Sequence, residues 1–260
     1  MTQRYFLPQL PVQGGDVGLP DSEAHHAVSV MRIKPGAELV LFDGQGNEAS
    51  ATVRSVSRRE VRCDAAASVY RPRQNRVRIH LGVAMPKGDR ARELVERLTE
   101  LGVDRLTPLH CERSPWETSD SAILKWQRVV VESCKQSRRN RLLRIEPAAP
   151  SADWWEGGAE SRAAEAAGQG VSWIAHPGGV PLAEAFGQLP EPFRRDSAED
   201  ESGEDTRPVV RIAIGPEGGF TTAEATAAEQ SGWTPIDLGE TIYRIETAAV
   251  LVTAVIVVGR

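Results

Sequence analysis

"IAIGPEGGFTTAE", Ile212 to Glu224, changes character midway. An apolar run rich in isoleucine stops at Gly215-Pro216. One carboxylate follows, Glu217, then Gly218 and Gly219, then Thr221 ahead of an alanine-rich segment. The order reads strand, glycine turn, helix. In parallel α/β sheets, ligands bind beyond the carboxyl ends of strands. Glycines there let backbone groups come close to a ligand. The spacing, G-x-x-G-G, is neither the G-x-G-x-x-G of a dinucleotide fold nor a glycine loop ending in Gly-Lys-Ser/Thr. A carboxylate in such a turn repels phosphate and suits a cation. From this stretch alone, a tight turn with a solvated Glu217 is the simpler account.

Two further segments have the same form. "WIAHPGG", Trp173 to Gly179, is a strand end carrying His176 and Pro177. "DLGETIYRIETAAVLV", from Asp237, is a short strand, a loop with Thr241, Tyr243 and Arg244, and a helix opening at Glu246-Thr247. Three such loops at one sheet edge make a pocket; otherwise they are three ordinary turns. Around them, "VRIHLGVAM", "DRLTPLH", "VSWIAHP", "VVRIAIGP" and "TPIDLG" read as strands. They alternate with amphipathic segments such as "DRARELVERLTELGV", where Leu94, Leu98 and Leu101 share a face and Gly102 is the stop. That alternation predicts a mostly parallel α/β sheet over 73–260.

Residues 1–72 differ. Short strands, "RYFLP", "AELVLFD", "ASATVRSV" and "EVRCDAAA", surround the hairpin signal "DGQGNEA" and one helix, "SEAHHAVSVMR", with Ser22 as cap candidate. The pattern predicts a small β-barrel, with "YRPRQNR" as linker. Gly187 to Pro208 is a charged insertion expected to be a mobile loop.

The net charge of -5 is misleading, because Glu191 to Asp205 alone carries seven acidic and two basic residues. Lys125 to Arg144 carries seven basic residues against Glu132. On a helix, Lys125, Arg128, Lys135 and Arg139 fall within an arc of about 80°, opposite Trp126, Val130 and Cys134. A solvated face accounts for such a stripe; so does a polyanionic partner. Three scattered cysteines argue for a reducing compartment, and the five histidines lack ligand spacing, so no metal is expected. The tail "AAVLVTAVIVVG" is shorter than the roughly 20 residues of a membrane span, and the N-terminal stretch lacks the pattern of a secretion signal. The expected location is cytoplasmic.

In order along the chain, "KGDRARELVERLTELGV", "ERS", "KWQRVVVESCKQSRRN", "IGPEGGFT" and "LGETIYRIETA" resemble the ribosomal RNA small-subunit methyltransferase E family, of the SPOUT class. "RYFLP" and "HHAVSVMRIKPGAELVLFDGQG" resemble its PUA-like RNA-binding barrel. The resemblance covers nearly the whole chain apart from the acidic insertion. It implies a homodimeric enzyme of rRNA processing that uses S-adenosylmethionine to methylate N3 of one uridine in 16S rRNA of the small ribosomal subunit. It also implies a C-terminal trefoil knot, which periodicity could not reveal. His176, Pro177, Gly215, Gly218, Gly219, Leu238, Gly239, Ile242, Tyr243, Arg244 and Thr247 then become cofactor-binding candidates. Glu217 and Glu246 become candidates for proton handling, and Arg244 for charge stabilisation. The basic stripe reads as a phosphate-contacting surface. Arg4, Arg32, Lys87, Arg113 and Arg138 join Lys125, Arg128, Lys135 and Arg139 as RNA contacts. Thr241 departs from the family's usual arginine, Tyr243 from its usual leucine, and Lys135 and Arg138 from glutamate and glycine. Other open readings are methylation of another RNA atom, such as ribose 2′-O, and a non-catalytic ribosome-assembly module.

Overall fold

The computed structural model describes residues 2–115, 117–157, 159–193 and 205–259. Contacts divide the chain into two compact units. One is Met1–Gln74 with Val130–Leu142; the other is Asn75–Val129 with Leu143–Arg260. The division expected from sequence, at 72, does not anticipate that Val130–Leu142 groups with the first unit.

The first unit is built on β1 (Gln3–Phe6), β2 (Gly15–Gly18), α1 (Asp21–Ser29), β3 (Glu38–Phe42), β4 (Asn47–Val56), β5 (Val61–Ala65) and β6 (Val69–Tyr70). The strands form a sheet in the order β1-β3-β4-β5-β2, with β6 on β4. The β3–β4 hairpin closes on Asp43, whose carboxylate accepts the amides of Gln45 at 2.7 Å and Asn47 at 3.0 Å. Tyr5, Leu39, Leu41, Val53, Val61 and Cys63 form the core, with Ala24 and Ala27 of α1. Ser22 does not cap α1. Pro20 sits at the N-cap with φ of -55° and no side-chain cap bond, so the helix starts before the serine.

The second unit runs β7 (Arg78–Val83), α2 (Asp89–Glu100), β8 (Arg105–His110), then α3 (Asp120–Ser137), whose last residues belong to the first unit. It continues with β9 (Arg144–Ile145), β10 (Ala149–Pro150), α4 (Ser151–Glu156), α5 (Ala159–Ala166), β11 (Gly170–Pro181), α6 (Leu182–Gly187), β12 (Val209–Ile214), α7 (Thr222–Gln230), β13 (Thr234–Asp237) and α8 (Ile245–Val258). The sheet order is β10-β8-β7-β12-β11-β13, with β9 on β8 and every pairing parallel. After β11 the chain lays β12 between β7 and β11, then returns to add β13 at the far edge. α2 ends where expected, at Gly102, whose φ of 81° favours glycine. Thr221 and Glu224 make a full capping box that starts α7 directly after the glycine turn.

Two pieces were not visible in the sequence. α4 carries Trp154 and Trp155, which pack with Trp233 and Phe220. Arg211 lies over the rings of Trp154 and Trp233 at 4.8 and 4.5 Å, and burial holds its pKa down to about 10. The insertion, expected to be mobile, is packed at both ends. Leu189 and Phe193 are buried, and Arg207 is buried between Asp104 at 2.9 Å and Asp205 at 2.7 Å. Residues 194–204 of that segment lie outside those described.

Candidate cofactor cleft

Three loops of the second unit line a cleft of about 320 Å³. His176 and Pro177 come from β11, Gly215 to Gly219 follow β12, and Asp237 ends β13 with Leu238 to Tyr243 after it. Ile214, Ile245 and Ala248 supply apolar lining. The first loop is not a strand end, as the sequence suggested, but a bulge. Ala175 and Val180 both pair with Ile236, so His176 to Gly179 are expelled from the ladder while β11 continues to Pro181. The bulge needs its glycines. Gly178 has a φ of 81°, and a Cβ on Gly179 would lie 2.5 Å from the Pro235 carbonyl.

Asp237 ties two of the loops together. Its carboxylate accepts the Gly178 amide and the Gly239 amide, each at 2.8 Å. Those two amides hold its pKa below the ordinary carboxylate range. The middle loop is tied from another side, where the Arg113 guanidinium donates to the Gly218 carbonyl at 2.8 Å.

The cleft lining is acidic. Glu217, Asp237 and Glu240 contribute carboxylates, and among the described residues no lysine or arginine lines it. A phosphate-bearing ligand would meet repulsion there, and a cation would meet attraction. Positive-φ glycines at 178, 219 and 239 keep side chains away and leave backbone groups to face a ligand.

Arg244, Glu246 and Thr247 lie outside this lining. Arg244 is exposed at the N-cap of α8, and Thr247 is exposed in its first turn. Glu246 is engaged by Arg90 of α2. The Nε donates to one oxygen at 2.9 Å and an Nη to the other at 2.8 Å, and this bidentate bond lowers the Glu246 pKa. The same guanidinium reaches Glu217 at 3.2 Å.

The basic candidates divide by exposure. Arg32, Lys87, Arg113, Lys125, Arg128 and Arg138 are exposed. Arg4, Lys135 and Arg139 are not available in the way that spacing suggested. Arg4 is paired with Glu48 at 3.1 Å, its side chain 8% exposed, and it bonds Asn140. Lys135 is buried against Glu23 at 3.1 Å and also reaches Glu132 at 2.9 Å. Arg139 is buried because α3 ends at Ser137 and Arg138 takes a φ of 63°, which breaks the helical angle used to place it.

Family profiles match this chain twice. The RNA methyltransferase domain covers residues 73–257, and the RNA methyltransferase PUA domain covers residues 19–65. The chain belongs to the RNA methyltransferase domain family. Relatives of this methyltransferase domain protein include two proteins named ribosomal RNA small subunit methyltransferase E. One, from Synechocystis, is 27% identical over 98% of this chain and 77% of its own length. The other, from Mycobacterium bovis, is 28% identical over 94% and 87%. A Bacillus subtilis protein of the same name is 28% identical over 55% of this chain, and the match spans 59% of its length. The fold matches the Neisseria gonorrhoeae ribosomal RNA small subunit methyltransferase E bound to S-adenosyl methionine. The TM-score is 0.78 at 23% identity, with 98% and 96% of the two chains covered. It also matches Lpg2936 of Legionella pneumophila, solved with SAM, with a TM-score of 0.81 at 24% identity over 98% and 97%.

Sequence reasoning missed Arg90, Asp237 and Glu240 in this methyltransferase domain. Asp237 and Glu240 lie within a segment already singled out, so the count of acids across all three loops would have found them. Arg90 had no such signal, since only folding brings α2 against the start of α8. Among the described residues, no cluster of histidine, cysteine and carboxylates could hold a metal, and no helix is long and apolar enough to cross a membrane.

Proposed function

We propose that the chain is a cytoplasmic, homodimeric enzyme that methylates N3 of a uridine in 16S rRNA of the small ribosomal subunit, with S-adenosylmethionine as donor. The observation that carries the donor assignment is the acidic, glycine-bordered cleft. S-adenosylmethionine bears a sulfonium and an ammonium, and apolar lining suits its adenine. A nucleoside phosphate fits the same lining badly. When bound, S-adenosylmethionine supplies an electrophilic methyl group. The protein's part is to align it with the acceptor, which is largely a matter of proximity and orientation.

Uridine N3 carries a proton and is a poor nucleophile until that proton leaves. Glu217 lines the cleft with its side chain about half exposed, and we assign it the proton from N3. We assign Arg244, exposed at the N-cap of α8, to negative charge developing on uracil O2 or O4. Glu246 lies outside the cleft lining and is tied by two bonds to Arg90, so we assign it to anchoring the last loop. Exposed Lys125, Arg128 and Arg138 are assigned to phosphates, where they position RNA without reading bases.

Calorimetry with S-adenosylhomocysteine tests the cleft, and no binding would leave a scaffold protein. Incubation with S-adenosylmethionine and small subunits lacking the modification, followed by nucleoside mass spectrometry, tests the atom. Methyl on N3 of uridine is expected. Methyl on a ribose 2′-oxygen would overturn the proposed acceptor.

A further inference from the structure

Arg90 lies outside the cleft lining, yet it contacts the one carboxylate to which the proposed chemistry gives a role. Its guanidinium makes two bonds to Glu246, whose side chain is 11% exposed, and holds one oxygen of Glu217 at 3.2 Å. Glu246 fixes the guanidinium, because a bidentate bond to a largely buried carboxylate permits little rotation. Both Nη atoms of the guanidinium so fixed then meet one oxygen of Glu217, at 3.2 Å. Glu217 therefore faces two claimants, a fixed cation and whatever ligand occupies the cleft.

We propose that Arg90 is a positioning residue that holds Glu217 and sets how strongly the cleft favours a sulfonium over a neutral thioether. The inference rests on the S-adenosylmethionine reading above. The donor carries one net positive charge, and its demethylated product carries none. A cleft with three unshielded carboxylates would grip the donor strongly and discriminate between the two by charge. A guanidinium on Glu217 cancels part of that field. It also holds the carboxylate at a defined place instead of letting it swing towards the nearest cation. Release of product and capture of donor are then balanced by the Arg90–Glu217 distance.

The proposal separates charge from scaffolding. Removing Arg90 makes the cleft more negative, so the affinity ratio between donor and product should move towards the donor. Loss of a purely structural contact would weaken both ligands by the same factor and leave the ratio alone. The experiment is calorimetry with S-adenosylmethionine and with S-adenosylhomocysteine on wild type, Arg90→Gln, Glu217→Gln and the double variant. At low ionic strength Arg90→Gln should shift the ratio about threefold towards the donor, because an exposed ion pair is a weak one. Glu217→Gln should shift it the other way, and the double variant should return near wild type. Added salt should shrink every shift. An unchanged ratio in Arg90→Gln would overturn the proposal. If that variant does not fold, Glu217→Gln carries the test alone, and an unchanged ratio there would overturn the proposal instead. If wild type binds neither ligand, the donor assignment fails, and that outcome is distinct from a flat ratio.

Discussion

Asp237 receives the amide of Gly178 at 2.8 Å, so the bulge of β11 hangs from the last residue of β13. One carboxylate thereby sets the relative position of two of the three cleft loops. Asp237→Asn keeps the shape and removes the charge that makes those bonds strong. We expect S-adenosylhomocysteine affinity to fall about fivefold with little change in melting temperature. The pH dependence follows from the depressed pKa. The ordering is present above the ordinary aspartate range and is lost as pH falls through the lowered value. Wild-type affinity should therefore hold steady through the ordinary aspartate range and drop only at lower pH. The Asn variant should show no such drop. Equal profiles would mean that the loops are held by something else.

Glycine substitutions separate cleft from turn. Gly239 has a φ of 116°, where a side chain is strained whatever the space around it. Gly239→Val should cost about 1–2 kcal/mol in stability and also weaken ligand binding. Gly218 is different, because its φ is not in the positive range and an added Cβ would only touch Arg113 Cδ at 3.4 Å. Gly218→Ala should leave melting unchanged. Gly218→Val, with branched carbons beside Arg113, should weaken ligand binding by displacing the guanidinium from the Gly218 carbonyl. Paired calorimetry and melting curves distinguish the cases. Destabilisation of Gly218→Ala as large as that of Gly239→Val would contradict the backbone argument.

The basic stripe makes a divided prediction. Burial pushes the Glu23 carboxyl up, and Lys135 pulls it back, so the pair is mutually dependent. Lys135→Met leaves a buried carboxylate without its cation and should destabilise by roughly 3 kcal/mol. The double change with Glu23→Leu should recover much of that. Neither should alter the salt dependence of rRNA binding. Arg128→Ala, at an exposed position, should do the reverse. It should leave stability alone and reduce the salt slope by about one unit. Denaturant melts and binding across a salt series decide it. A normal slope in Arg128→Ala would return the exposed stripe to a solvated face.

How much of this was legible depended on whether the signal was local. The strand, the glycine turn and the helix after Thr221 follow one another within Ile212 to Glu224, so their order was readable locally, while the capping role of Thr221 came from the structure. Gly102 stopped α2 for the same reason. The bulge at His176 to Gly179 was not legible, because it exists only through the pairing of Ala175 and Val180 with one residue, Ile236. The fates of Lys135 and Arg139 were missed for a related reason. A helical wheel assumes the helix continues and that its polar face meets water. Arg138 ended the first assumption, and Glu23, more than a hundred residues earlier, ended the second. The Arg90 bridge between Glu217 and Glu246 joins three distant segments and left no trace in any one of them.

The tail carries the last prediction. The helix that the sequence opens at Glu246-Thr247 is α8, and Ala248 to Val258 lie in it. Ile245, Ala249, Val252, Thr253 and Ile256 are buried on one side. Val250, Leu251, Ala254, Val255 and Val257 are partly exposed, and Val258 is 71% exposed. By helical angle these six, with Thr247, fill an arc of about 160° that is apolar except at Thr247. A surface helix of a monomer should carry a polar face there. Ile242, 92% exposed in the loop that leads into α8, extends the same argument. The most economical cover is a second copy related by a two-fold axis, since such an interface is self-complementary. Because the helix continues directly from the cleft loop at Leu238 to Arg244, the dimer would also steady the cleft. Val255→Asp should therefore give monomers that retain their own fold yet bind S-adenosylhomocysteine more weakly. Sedimentation should show wild type as a dimer at micromolar concentration and the variant as a monomer. A monomeric wild type would sink the dimer and leave the apolar face of α8 to some other partner.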